Sequence, residues 1–320
     1  MKPAVIGTNL MLALITLIVM LMTAAIFNQT LEENDRELRT ALHWLAAPFR
    51  AINGLFGGIG ATIGSSWMRT AIGPLVALGL AALLFAFEDP TFGFNDETVV
   101  LTLSFLAAFV ALTYVYEGGQ LLMTNRYGVP AAIQIFPTGV IIAIVFVLVS
   151  RIQGFQPGLV FGFIAAHTLT APAVMTREQQ GKQVLWPALA MLSVCVIAWL
   201  LASPARDLAQ DGDSMWAALP EGIAVGVFVA GIESLFLTMI PIKFMDGHKL
   251  ISWSKPAWAA IALSSGFLFW HAMMNEERDS LDALGQTGAS TALTLMAVAL
   301  AISLGTYLFF RVRNNGRAHA

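Results

Sequence analysis

A chain of 320 residues that is 57% hydrophobic and only 12% charged, with a mean hydropathy of +0.73, lies outside the range of a soluble domain; such domains carry charge on about a quarter of their residues. A net charge of −3 offers no basic surface for nucleic acid. The single cysteine, Cys195, excludes an internal disulfide and a cysteine-built metal site.

The apolar runs are long and unbroken rather than alternating, which predicts membrane-spanning helices and excludes barrel strands. Nine spans are expected, near 7–27, 70–87, 98–121, 131–150, 157–176, 185–203, 219–241, 257–274 and 288–310. The first is longer than the apolar region of a signal peptide and reads as a retained helix. Residues 28–69 form the longest loop. Within it Leu38, Leu42, Leu45, Phe49, Ile52 and Phe56 recur on one helical face, broken by Pro48 and followed by Gly54, Gly57, Gly58, Gly60 and Gly64. Three readings stay open for this loop: an amphipathic segment on the cytoplasmic surface, a helix packed on the bundle, or a re-entrant span. The other loops are short. The chain therefore reads as one all-α integral membrane domain, 1–320, without internal repeats and with lipid as its surroundings.

Nine spans divide the 17 Lys and Arg thirteen to four between the two sides, and the acids favour the poorer side. The excess of cations marks the cytoplasm, so the N-terminus is expected outside and the C-terminus inside.

Charged groups inside spans are costly and have a partner or a task. Glu117 lies nine residues before Arg126, His167 ten before Arg177, and Glu233 ten before Lys243. At the helical rise all three sit about 14–15 Å from the cytoplasmic edge. Two carboxylates and an imidazole at one depth suit a metal or shared protons; alternatively each finds its own local hydrogen bond. His271 lies toward the outer leaflet and reads as a satisfied interfacial histidine. Trp186, Trp216, Trp253, Trp258 and Trp270 fall near span ends, as aromatic belts do.

The stretch around Glu117, YEGGQLLMTNRYGV, resembles the zinc helix of site-2 proteases, whose pattern is H-E-x-G-H with a basic residue and Gly-Val downstream. Glu117 matches the general base, Gly119 the glycine, and Arg126, Gly128 and Val129 the tail. Tyr116 and Gln120 stand at the two zinc-histidine positions. A second stretch, LTMIPIKFMDGHKL, is similar to the family's N-x-x-P-x-x-P-L-D-G segment, which supplies the third zinc ligand. Pro241, Asp246 and Gly247 match; Thr238, Phe244 and Met245 depart. The resemblance implies a protease-like core over about 98–256. FQPGLVFGF at 155–163 is also similar to actinobacterial membrane proteins named for an F-G-L-L-P motif, which implies a bacterial plasma membrane.

The departures bear on function. Histidines four residues apart present both imidazoles to zinc from one helix face. Tyr116 and Gln120 keep the spacing without the ligands, so Asp246 is the one retained ligand position, expected empty, and Glu117 an inactive base. The expectation is a non-catalytic relative, without cofactor, that binds a transmembrane segment or another membrane protein in the former substrate groove. Tyr116, Gly119, Gln120, His167 and Glu233 are its candidate binding residues. One alternative is a zinc metalloprotease with rearranged ligands (His167, Glu233, Asp246 and perhaps His248). Another is a proton-coupled transporter or channel.

Overall fold

The computed structural model describes residues 3–42, 66–135, 143–144, 147–148, 151, 165–170, 174–210, 215–273 and 289–318. Helices dominate: α1 (Pro3–Leu42), α2 (Ser66–Ala86), α3 (Asp96–Ala111), α4 (Gly118–Arg126), α5 (Arg177–Gln210), α6 (Leu219–Thr238), α7 (Asp246–Trp253), α8 (Lys255–Leu268) and α9 (Ala289–Ala318). A π-helical turn, Leu112–Glu117, joins α3 to α4, and another, Phe269–Met273, ends α8. Among the described residues five helical stretches are long and apolar enough to cross a membrane, namely 6–35, 96–126, 177–210, 216–238 and 296–313.

Two expected spans differ. Residues 131–150 open with a strand, β1 (Ala131–Ile135), and 157–176 contains β2 (Ala165–Leu169); the two pair antiparallel, with Ile133 opposite His167. Ala131-Ala132-Ile133-Gln134-Ile135 is apolar enough to read as the start of a span, and apolar runs do not by themselves distinguish strand from helix. Further along, Ala143 and Val147 pack against Leu78, Phe85 and Phe109. The loop expected to start at residue 28 also differs, because α1 continues to Leu42 with a break at Asn34. There the Asn34 side chain donates to the Thr30 carbonyl, competing with the helix backbone. The rest of the amphipathic face, Leu45 to Phe56, lies outside the described residues, as does the 155–163 motif.

Local signals set the helix ends. Asn95 caps α3 by accepting from the Thr98 N–H at 2.8 Å, and Asp96 and Glu97 sit favourably in its first turn. α4 stops at Gly128, whose φ of 72° suits only glycine without strain. Gly128 N–H bonds the Asn125 carbonyl and Val129 N–H the Thr124 carbonyl, closing a Schellman motif. Thr176 and Gln179 form a reciprocal capping box at the start of α5.

The core is α6 held between α3 and α5. Small residues permit the close approach expected of helices in lipid. A Cβ at Gly222 would lie 2.4 Å from Ser104 Oγ on α3, and one at Gly231 would lie 2.4 Å from both Cys195 Sγ and Met191 on α5.

Contacts also sort the helix ends into two groups. At one end Lys243 pairs with Glu32, and Arg313 with Glu37. At the other, Arg206 pairs with Glu221 at 2.7 Å and Asn9 bonds His271 at 3.0 Å. His271 is buried and stacked on Phe267, so it is satisfied within the bundle.

Candidate functional site

At the end of the bundle that holds Arg126, Arg177 and Lys243, four elements bring polar side chains together. The helix 96–126 supplies Tyr116, Glu117, Gln120 and Thr124. The π-turn sets their direction: the Gly118 N–H reaches back five residues to the Thr113 carbonyl. Gly119 brings α4 against α5, since a Cβ there would meet Pro187 at 3.0 Å.

α7 supplies Asp246 and Lys249. Its seat is tight, because Gly247 lies against the Met239 carbonyl, which also accepts the Trp258 indole N–H at 2.8 Å. The preceding turn is held from α1. The Asn28 amide donates to the Pro241 carbonyl and accepts from the Lys243 N–H, both at 2.9 Å.

Tyr116, Gln120 and Asp246 converge on one atom. Asp246 Oδ2 accepts from the Tyr116 hydroxyl at 2.9 Å and from Gln120 Nε2 at 2.7 Å, while Oδ1 accepts from Lys249 Nζ at 2.8 Å. Burial pushes the Asp246 carboxyl up. The Lys249 charge and the bonds from Lys249, Gln120 and Tyr116 outweigh burial and hold its pKa below the ordinary 3.8.

His167 enters from β2. Its backbone N–H donates to Glu117 Oε2 at 2.8 Å. The Thr124 hydroxyl donates to the Gln120 carbonyl at 2.8 Å, so at its 3.0 Å contact with His167 Nε2 it accepts. Gln183 Nε2 lies 3.2 Å from His167 Nδ1 and 3.4 Å from Gln120 Oε1, and donates to both. The pattern assigns a neutral imidazole with its proton on Nε2. Burial, followed by the Lys249 charge, lowers the His167 pKa from 6.5, with Asp246 opposing. This is a polar network whose members satisfy one another, the arrangement that rigidifies a buried site.

These hydrogen bonds do not run through Glu233. It is buried on α6, but the bonds of Asp246, Glu117 and His167 run to other residues. A common depth fixes height along a helix and leaves the azimuth open, and α6 is buried on most of its circumference. His248 is half-buried on α7, and its neighbour Lys249 is the residue that reaches Asp246. The sequence reading passed over Thr124, Gln183, Lys249 and Asn28. Thr124 was legible, as it continues the 116–120–124 face at helical spacing. Gln183 was assigned to a loop because α5 starts eight residues before the apolar run at 185–203.

The donor set does not fit zinc. A tetrahedral zinc site needs ligands that offer lone pairs to the ion. Here the phenol and the amide both present hydrogens to Asp246 Oδ2, and an ammonium holds Oδ1. Among the described residues, no three His, Cys, Asp or Glu side chains are grouped to hold a metal. Comparisons with protein-family models, with curated proteins and with solved structures give no match.

Proposed function

We propose that the chain is a multi-pass protein of a bacterial plasma membrane, with its N-terminus outside and C-terminus cytoplasmic. In this reading it keeps a site-2 protease-like scaffold and no zinc chemistry. It binds a transmembrane segment or another membrane protein where a substrate would lie in a protease. One observation carries the reading: Tyr116 and Gln120 from one motif and Asp246 from the other, more than a hundred residues apart, meet at a single carboxylate oxygen. A chance likeness of two short motifs gives no reason for that meeting. Glu117 then has no metal-bound water to deprotonate, and its carboxylate holds the backbone of β2.

The test is site-specific photo-crosslinking in membranes, with the photoreactive residue at Leu122 or Phe244. Both are exposed and flank the cluster; Leu308 on α9 serves as the control position. A discrete protein adduct from 122 or 244, absent from 308 and retained in Glu117→Gln, is expected. Equal labelling at all three positions would overturn partner binding. Metal analysis of untagged protein is its companion. About one zinc per chain, lost in a Glu117→Gln, Asp246→Asn variant, would overturn the non-catalytic reading.

A further inference from the structure

The cluster holds one more group than the motif resemblance leads one to expect, and that group is a cation. Lys249 lies one turn along α7 from Asp246 and donates to Oδ1 at 2.8 Å, opposite the oxygen used by Tyr116 and Gln120. The Asp246 side chain is 13% exposed and that of Lys249 34%, so the carboxylate is withdrawn from water while the ammonium stays at the rim. The same ammonium acts electrostatically on Glu117 and on His167. A buried carboxylate needs a counter-charge as well as hydrogen bonds. Among the described residues, Lys249 is the cation that bonds this one.

We infer that Lys249 is the built-in counter-cation of the Asp246 site, a positioning residue whose ammonium supplies internally the positive charge that a metal supplies in a metalloprotease. Lys249 and Asp246 then form a latch. The charge pair fixes the carboxylate rotamer, and the carboxylate fixes Tyr116 and Gln120, so α7 is bound to the broken helix α3–α4 without an ion. Both oxygens of the carboxylate are already bonded, so an entering divalent cation would have to displace Lys249 or the Tyr116 and Gln120 donors. This stands on the atoms of the cluster alone and holds whether or not a partner is captured.

The experiment is a double-mutant cycle on the detergent-purified full chain, read as the thermal midpoint. Lys249→Met and Asp246→Asn are each expected to lower it by about 4 °C. The double variant is expected to lose clearly less than the sum, since it leaves no uncompensated charge. Lys249→Arg should restore most of the midpoint; Lys249→Gln, which keeps a hydrogen-bond donor without charge, should not. Additive losses, or rescue by Gln as complete as by Arg, would overturn the inference. So would a rise in the wild-type midpoint on adding zinc. If Asp246→Asn fails to fold, the Arg and Gln variants and the zinc titration still decide.

Discussion

The bundle carries two histidines beside π-helical turns at opposite ends, His167 half-buried and His271 buried. His167 meets the turn that ends at Glu117, and His271 lies within the turn 269–273. Around His271 itself two contacts are neutral: Asn9 bonds the imidazole at 3.0 Å, and the Trp270 indole N–H donates to Thr16 at 2.9 Å; the ion pair at this end, Arg206–Glu221, takes part in neither. Both bonds tie the first helix to the turn that ends the eighth. At the His167 end the bonds link β2, α4, α5 and α7, and they enclose Glu117, Asp246 and Lys249. A π-turn beside a buried histidine is therefore not enough to mark a site. What sets the His167 cluster apart is an ion pair bonded into the network itself, together with residues that arrive from four elements.

Substitutions at the two ends should separate them. The largest effect is expected from Gly247→Ala. Its Cβ would lie 2.3 Å from the Met239 carbonyl oxygen, a backbone atom that cannot swing aside, so α7 loses its seat. A loss of about 3 kcal/mol, seen as poor yield and a depressed thermal midpoint, is the expected cost of overpacking here. Gln120→Leu comes next, at about 2 kcal/mol, because it removes a donor from buried Asp246 and an acceptor from Gln183 together. Tyr116→Phe removes a single hydroxyl donor and should cost about 1 kcal/mol. Asn9→Ala, beside His271, should cost about 1 kcal/mol or less and leave crosslinking from Leu122 and Phe244 unchanged. Altered crosslinking in that variant would dissolve the distinction between the ends.

The smallest effect is a pH slope. The folded His167 has a pKa below 6.5, so between that value and 6.5 the unfolded chain binds more protons than the folded one. Stability then rises with pH across this window and falls as pH drops through 6.5. His167→Gln should flatten the slope in a thermal-midpoint series from pH 7.5 to about 5.5; an unchanged slope would place the titrating group elsewhere.

Much of this end was legible in the residues. Four-residue spacing put Tyr116 and Gln120 on one face, and the Asp246-Gly247 pair marked the second element. Other parts were not legible. Hydrophobicity reports burial and not backbone geometry, so the β1–β2 pair was hidden inside two apolar runs. Depth along a helix says nothing of its rotation, so a common height for Glu117 and Glu233 did not reveal which residues each one bonds. Lys249 looked like one more cytoplasmic cation, because its link to Asp246 is a matter of side-chain direction rather than composition.

The Asn28 clamp bears on biogenesis. Asn28 lies within α1, and its partners, Pro241 and Lys243, are synthesised more than two hundred residues later. The network of Asp246 therefore cannot close until the seventh helix has emerged and folded back against the first. Until then Gln120 and Tyr116 lack the carboxylate they donate to. Assembly of this end is therefore a late event in synthesis, with Asn28 in place well before the turn it holds.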